Sequence, residues 1–200
     1  MGIESELEPT LEPSQLVITL DKDFLVPKSR VLFLGCGSGA DALYLARQGY
    51  EVVVVDPHKK PLEELEGIAK REDLNILTYD QSYKAFAKNL HSNVFDAILA
   101  LNSFNDLKTE DCITIVNHMR GCKCFNIIEM DTEHSAVPSA GPEARGLPPN
   151  MLRSMYTDSL LCYEEREIPT KTTFRGIEAT HHYVLIVADT EKNPQQVKAV

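Results

Sequence analysis

Residues 30–56 read "RVLFLGCGSGADALYLARQGYEVVVVD", and no other stretch restricts the fold as strongly. "RVLFLG" is a short apolar run ended by glycine, the pattern of a strand buried on both faces. "SGADALYLARQG" puts Ala42, Leu45 and Ala46 on one helical stripe and closes with Gly49 just past the helix end. "YEVVVVD" is a second buried strand. Strand, amphipathic helix and strand within 27 residues form a crossover unit, because parallel strands cannot be joined by a tight turn.

The pattern continues down the chain. "KPLEELEGIAKRE" repeats the helical signal, with Leu62, Leu65 and Ile68 or Ala69 facing inward, and "LNILTYD" and "FDAILAL" read as strands. The segment between those strands, "QSYKAFAKNLHSN", is partly helical. "KTEDCITIVNHMRG" is a helix stopped by Gly121, and "CFNIIEMD" is a fifth strand. Alternation of this kind predicts an α/β fold, a parallel sheet with helices on both faces. The ending differs. After the loop "TEHSAVPSAGPEARGLPPN" come a short helix, "NMLRSMY", and two segments, "SLLCYEEREI" and "THHYVLIVAD". A short polar connection, "PTKTTFRGIEA", joins them as in an antiparallel hairpin. Residues 1–27, rich in Glu and Pro, read as a loosely held arm with a short helix near Ser14 to Leu20.

Length and charge narrow the function. Two hundred residues suit one domain, and a formal charge of -10 without a basic run argues against nucleic acid as a partner. The longest apolar stretches are too short to cross a bilayer, and the acidic start is unlike a secretory signal, so no membrane role is expected. Five cysteines without a CxxC pair suggest a reducing compartment, the cytoplasm. Cys122 and Cys124 would share one face of a strand and read as buried thiols ahead of zinc ligands. His181 and His182 alternate across a strand, which suits them poorly as joint metal ligands, so no metal is expected.

Gly35, Gly37 and Gly39 lie where the first strand turns into the first helix. Such a turn needs residues that tolerate left-handed backbone, and a ligand can approach closely where no Cβ intervenes. The helix behind it offers unpaired N–H groups. Asp56 ends the next strand, and a carboxylate there can accept both hydroxyls of a ribose. Glycine triplet, flanking elements and spaced acid together point to an adenosine-bearing ligand. The string aligns as G-x-G-x-G through Gly39 or as G-x-G-x-x-A through Ala40, and the second is the dinucleotide fingerprint. An NAD(P)-dependent oxidoreductase therefore stays open, although such enzymes usually continue into a substrate domain.

"VLFLGCGSGADALYLARQGYEVVVVD" resembles the first motif of class I S-adenosylmethionine-dependent methyltransferases, and "LYLARQGYEVVVVD" is similar in particular to their tellurite-resistance branch. The resemblance runs over residues 28–190, weakening after Asp106, with 1–27 as an arm and 191–200 as a tail. "FDAILAL" fits that family's fourth strand and "EMDT" the end of its fifth. It implies a Rossmann-like sandwich whose seven-stranded sheet has the order 3-2-1-4-5-7-6 with strand 7 antiparallel. It also implies S-adenosyl-L-methionine as cofactor and methyl transfer to a small-molecule acceptor, a thiol, metalloid oxyanion or similar nucleophile. The turn residues Gly35, Cys36, Gly37 and Gly39 would then face the methionine part. Asp56 would hold the ribose, Asp80 and Gln81 would lie beside the adenine, and Leu101 and Asn102 would border the sulfonium end. The chemistry of these positions agrees, since an Asp80 carboxylate can accept from the adenine amino group and Pro57 gives the purine an apolar surface.

Two departures from the family pattern matter. The acidic residue usual two places before the first glycine is Phe33 here, and the Pro-Gly-Gly turn before the fifth strand is replaced by "RGCKCF". A non-catalytic nucleoside- or partner-binding module is the reading Phe33 favours. In-line transfer from a sulfonium needs alignment more than a base, and no dyad is evident. For oxygen or nitrogen acceptors the base candidates are Asp131 and His134, with Asp106 and His118 behind them, and His58 beside Pro57 reads as a solvated first-turn residue ahead of a ligand contact. The loop from Thr132 to Pro149 is a candidate cover for the acceptor, with Arg145 available to an anion.

Overall fold

The computed structural model describes residues 11–131, 147–174 and 177–191. Seven strands form one sheet of order β3-β2-β1-β4-β5-β7-β6. The strands are β1 Arg30–Leu34, β2 Glu51–Asp56, β3 Ile76–Asp80, β4 Ala97–Leu101, β5 Phe125–Asp131, β6 Leu160–Phe174 and β7 Ile177–Asp189. Pairing is parallel from β3 through β5, whereas β7 runs antiparallel to both β5 and β6. This is the expected class I order. It differs from the 3-2-1-4-5-6 order of dinucleotide-binding sheets, which removes the oxidoreductase alternative that rested on Ala40.

The helices are α1 Gln15–Asp23, α2 Ala40–Arg47, α3 Lys59–Glu72, α4 Tyr83–Ala87, α5 Thr109–Arg120 and α6 Pro149–Met155. Two apolar clusters form on opposite faces of the sheet, because successive strand residues point to opposite sides. Val31 and Phe33 join Val17, Leu20, Leu43 and Leu65 of α1, α2 and α3, and Leu32 and Leu34 join Ile115, Met119 and Leu152 of α5 and α6. Helix α2 ends as its sequence requires, with Gly49 at φ +90 beyond the C-cap residue Gln48.

Three readings change. The amino-terminal segment is not loosely held where it is described: Ser14 caps α1 by accepting from the Val17 N–H, and Val17 and Leu20 are fully buried. Its apolar positions are spaced to face the sheet, a short-range signal that the surrounding Glu and Pro obscured. The polar connection "PTKTTF" is strand, since β6 and β7 continue to pair until Phe174 meets Ile177, as its β-branched threonines favour. Cys122 and Cys124 precede β5 and do not lie within a strand. Their thiols, both buried, approach the His118 carbonyl and the Asn126 side-chain oxygen.

Candidate active site

The described cofactor-site candidates collect at one edge of the sheet, where the parallel strands end. β1 runs into the glycine turn, β2 ends at Asp56, β3 at Asp80 beside it in register, and β4 at Leu101, whose neighbour on β5 is Glu129. Open α/β sheets bind ligands at this edge, where the strand order reverses between β1 and β4.

The turn requires its glycines, each for a separate reason. Gly35 has φ +111 and packs so closely on the loop after β4 that a Cβ would lie 2.8 Å from Ser103 Cβ. Gly39 has φ +79 as the residue before α2, and there a Cβ would press on Leu65. Gly37, at φ +53, has nothing within 4 Å of where its Cβ would be. Its glycine character therefore leaves open space above bare backbone at the N-terminal end of α2. This is a fit for a bound nucleoside's small polar end. Near Gly35, Ser103 Oγ is buried without a hydrogen-bond partner among the described residues, a polar atom that a guest or water could satisfy.

Asp56 is the hub of the site. It is only 5% exposed. The Cys36 N–H donates to its Oδ2 at 2.8 Å and the His58 N–H to its Oδ1 at 2.8 Å, so one carboxylate fixes both the glycine turn and the entry to α3. His58 Nδ1 also lies 3.0 Å from Oδ1, and Tyr83 Oη donates to Oδ2 at 3.5 Å. Every favourable acceptor direction is thus taken. The imidazole is the one exposed donor of the four, its side chain 79% accessible, so a ribose reaching this carboxylate would displace it first.

The ionisation of the neighbours reflects this crowding. Burial, then the negative charges of Asp56 and Glu64, push the Cys36 thiol up to about 11. Cys36 is therefore a neutral thiol, donating to the Pro61 carbonyl, and not a nucleophile at neutral pH. Burial, with the Asp56 charge next, raises Tyr83 as well, which keeps its hydroxyl a donor.

Pro57, Asp80 and Gln81 are exposed and not engaged in the core. Asn102 adopts φ +58, a left-handed conformation that asparagine tolerates. Its N–H donates to the Glu129 carbonyl and its Nδ2 to Glu129 Oε1, both at 2.7 Å, which joins the ends of β4 and β5. Phe33 is 5% exposed and belongs to the cluster beneath α1 and α2, so its ring fills the core and does not plug the turn.

Sequence reasoning did not single out Tyr83, Ser103 or Glu129. For Glu129 the signal was present, a carboxylate amid "NIIEMD" in an otherwise apolar strand. Among the weaker candidates, Asp131 is the last residue of β5, Asp106 is exposed after β4, and His118 is half-buried on α5. His134, Arg145 and most of the loop expected to cover the acceptor lie outside the described residues. No group of three His, Cys, Asp or Glu among the described residues could hold a metal ion, and no described helix is long and apolar enough to cross a membrane.

Known proteins are similar to this chain in sequence and in fold. The family profile described as "Tellurite resistance protein TehB" matches residues 17–173. A probable S-adenosyl-L-methionine-dependent methyltransferase TehB of Haemophilus influenzae is 29% identical over 142 residues, covering 70% of this chain and 49% of that protein. The chain thus spans about half the length of the curated relatives it matches. The crystal structure of TehB from Haemophilus influenzae superposes with a TM-score of 0.74 at 25% identity, over 88% of this chain and 62% of that one. A magnesium protoporphyrin IX methyltransferase from Synechocystis, solved with bound S-adenosylmethionine, shares the fold with a TM-score of 0.61 at 17% identity, over 86% and 76% of the two chains. Sheet order, glycine turn and family match agree, and the chain belongs to the TehB family, the tellurite-resistance branch of the class I methyltransferases.

Proposed function

We propose that this chain catalyses S-adenosyl-L-methionine-dependent methyl transfer to a small-molecule nucleophile of the thiol or metalloid kind. One observation carries the reading most directly: Gly37, open where its Cβ would be, directly follows Cys36, whose N–H is held by a buried carboxylate. A nucleoside with a charged tail suits that pairing of bare peptide and buried acid. The name of the Haemophilus influenzae relative supports the same cofactor.

The cofactor, when bound, supplies a methyl group on a positively charged sulfur that departs as a neutral thioether. The chain's own residues supply alignment. Gly35, Cys36, Gly37 and Gly39 present backbone N–H groups and an unobstructed surface to the methionine part. Asp56 takes the ribose once the His58 ring yields, Pro57 backs the purine, and Asp80 and Gln81 offer polar partners to its edge. Leu101 and Asn102 close the sulfonium end, where the pairing of Asn102 with Glu129 keeps the loop in one conformation. Preorganised alignment of this kind lowers the barrier to an in-line displacement without a proton-transfer dyad. All five cysteines carry free thiols, in keeping with a cytoplasmic setting.

Phe33 favours a second reading, a nucleoside-binding module without turnover, since no carboxylate at that position helps orient the cofactor's amino group. Calorimetry with S-adenosylmethionine and S-adenosylhomocysteine, followed by product analysis over a panel of thiols and metalloid salts, separates the two. Binding with methylated product supports the enzyme. Binding without product against the whole panel supports the module, and no binding of either compound overturns both.

A further inference from the structure

A groove of about 450 Å³ lies between α1 and the face of β5, β7 and β6 that α1 leaves open. That volume is in the range of small-molecule sites. Leu16 of α1, Phe24 just past its end, Cys162 of β6, and Leu185 and Val187 of β7 supply apolar walls. One row of the groove is polar. In the strand register Glu129 pairs with Leu185 and Leu185 with Glu164, so the two carboxylate positions flank a leucine on one face, their backbones roughly 10 Å apart.

The groove joins the expected transfer site through one residue. Glu129 lines it and accepts the Asn102 amide hydrogen bond at 2.7 Å, and Asn102 borders the proposed sulfonium end. An apolar slot leading to a carboxylate beside a methyl donor describes its guest. A metalloid oxyanion has no hydrocarbon surface to bury against these walls.

We propose that this groove holds the methyl acceptor, and that the acceptor is a small molecule with a hydrocarbon body and an S–H or N–H nucleophile at its Glu129 end. The proposal rests on the methyl-transfer reading above and narrows it. In the step it implies, the acceptor's sulfur or nitrogen lone pair forms the new bond to the methyl carbon as the carbon–sulfonium bond breaks. That bond's electrons stay on the departing sulfur, and the acceptor's proton passes to a Glu129 oxygen and on to solvent.

Binding measurements test the groove apart from turnover. The probes are 4-chlorobenzyl mercaptan, its methyl thioether and sodium tellurite, titrated calorimetrically into protein saturated with S-adenosylhomocysteine, which is itself titrated separately. The mercaptan is expected to bind, and Leu185→Trp, which fills the slot, to weaken it at least tenfold with less than twofold change for S-adenosylhomocysteine. Independently of any variant, the thioether is expected to slow iodoacetamide labelling of Cys162, the half-buried thiol on the wall, at least fivefold. S-adenosylhomocysteine binding with no protection of Cys162 overturns the groove and leaves the methyl-transfer reading intact. Tighter binding of tellurite than of either aryl probe overturns the acceptor class. Protection of Cys162 without S-adenosylhomocysteine binding overturns the methyl-transfer reading, and the acceptor role with it.

Discussion

Replacing Asp56 with asparagine conserves shape and removes charge, and the partners of the carboxylate set the cost. Both carboxylate oxygens accept backbone N–H groups, Oδ2 from Cys36 and Oδ1 from His58. An amide has one oxygen, so in either orientation its NH₂ faces a backbone donor. The loss is one hydrogen bond to a charged group, about 1.5–3 kcal/mol, plus about 1–3 kcal/mol for a buried N–H left without an acceptor. A total of about 4 kcal/mol corresponds, at about 2–4 °C per kcal/mol for a chain of this size, to a melting point lower by roughly 8–16 °C. Urea unfolding followed by circular dichroism, with and without S-adenosylhomocysteine, measures the structural and ligand parts together. At a hundredfold excess over Kd the ligand adds about 2.7 kcal/mol to the wild type, and each tenfold loss of affinity removes about 1.4 kcal/mol of it. An Asp56→Asn protein within about 0.5 kcal/mol of wild type would refute the double-capping argument. Equal ligand stabilisation in the two proteins would refute the ribose assignment alone.

The glycine turn makes a paired prediction: Gly35→Ala, which drives a Cβ into Ser103, is expected to lower the melting point clearly, whereas Gly37→Ala costs about 1–2 kcal/mol for its left-handed backbone but blocks nucleoside binding. Melting curves and calorimetry on the two variants check it, and equal behaviour in both assays counts against the cradle. Alkaline stability should fall as pH rises from about 9 to about 12. Burial holds Cys36 and Cys122 up to about 11 and Cys112 up to about 12 from an ordinary value of 9.0, so the folded state binds these protons more tightly than the unfolded chain. Urea midpoints at pH 8, 10 and 11.5 test the direction, and a constant midpoint would contradict it. Tyr156→Phe should cost about 1–2 kcal/mol, because fully buried Asn126 donates to that hydroxyl at 3.2 Å and would lose its partner; an unchanged melting point would show that Asn126 finds another acceptor.

The alternation of strands and helices and the positions of Gly35, Gly37, Gly39 and Asp56 were legible because each has a local signature, whereas the sheet order was implied only by the resemblance to the class I family. Glycine at a strand-to-helix turn and apolar runs of fixed length are short-range patterns, and short-range patterns survive in sequence. The crowding at Asp56 was not legible. It depends on Tyr83, 27 residues away, reaching the same oxygen as the Cys36 backbone, a coincidence that only the packed sheet creates. Phe33 was legible in part: its place in the motif shows that a carboxylate is missing, but not that the parity of β1 turns its ring into the cluster beneath α1 and α2. The groove was invisible for a similar reason, since its walls come from α1, β5, β6 and β7 and share no sequence neighbourhood.

The way the described chain enters and leaves the sheet has a practical consequence. Ser14 clasps Asp41 in the first turn of α2 through its backbone and hydroxyl, at 2.6 and 3.1 Å, beside the glycine turn. β7, running the other way, finishes with Asp189 opposite Phe125, the first residue of β5, at the far rim. A fluorophore or surface tether attached just ahead of Ser14 would hang over the mouth of the cleft and report on, or obstruct, traffic through it. The same attachment placed at Thr190, at the far rim, would leave the cleft unencumbered and give a handle for immobilising the protein.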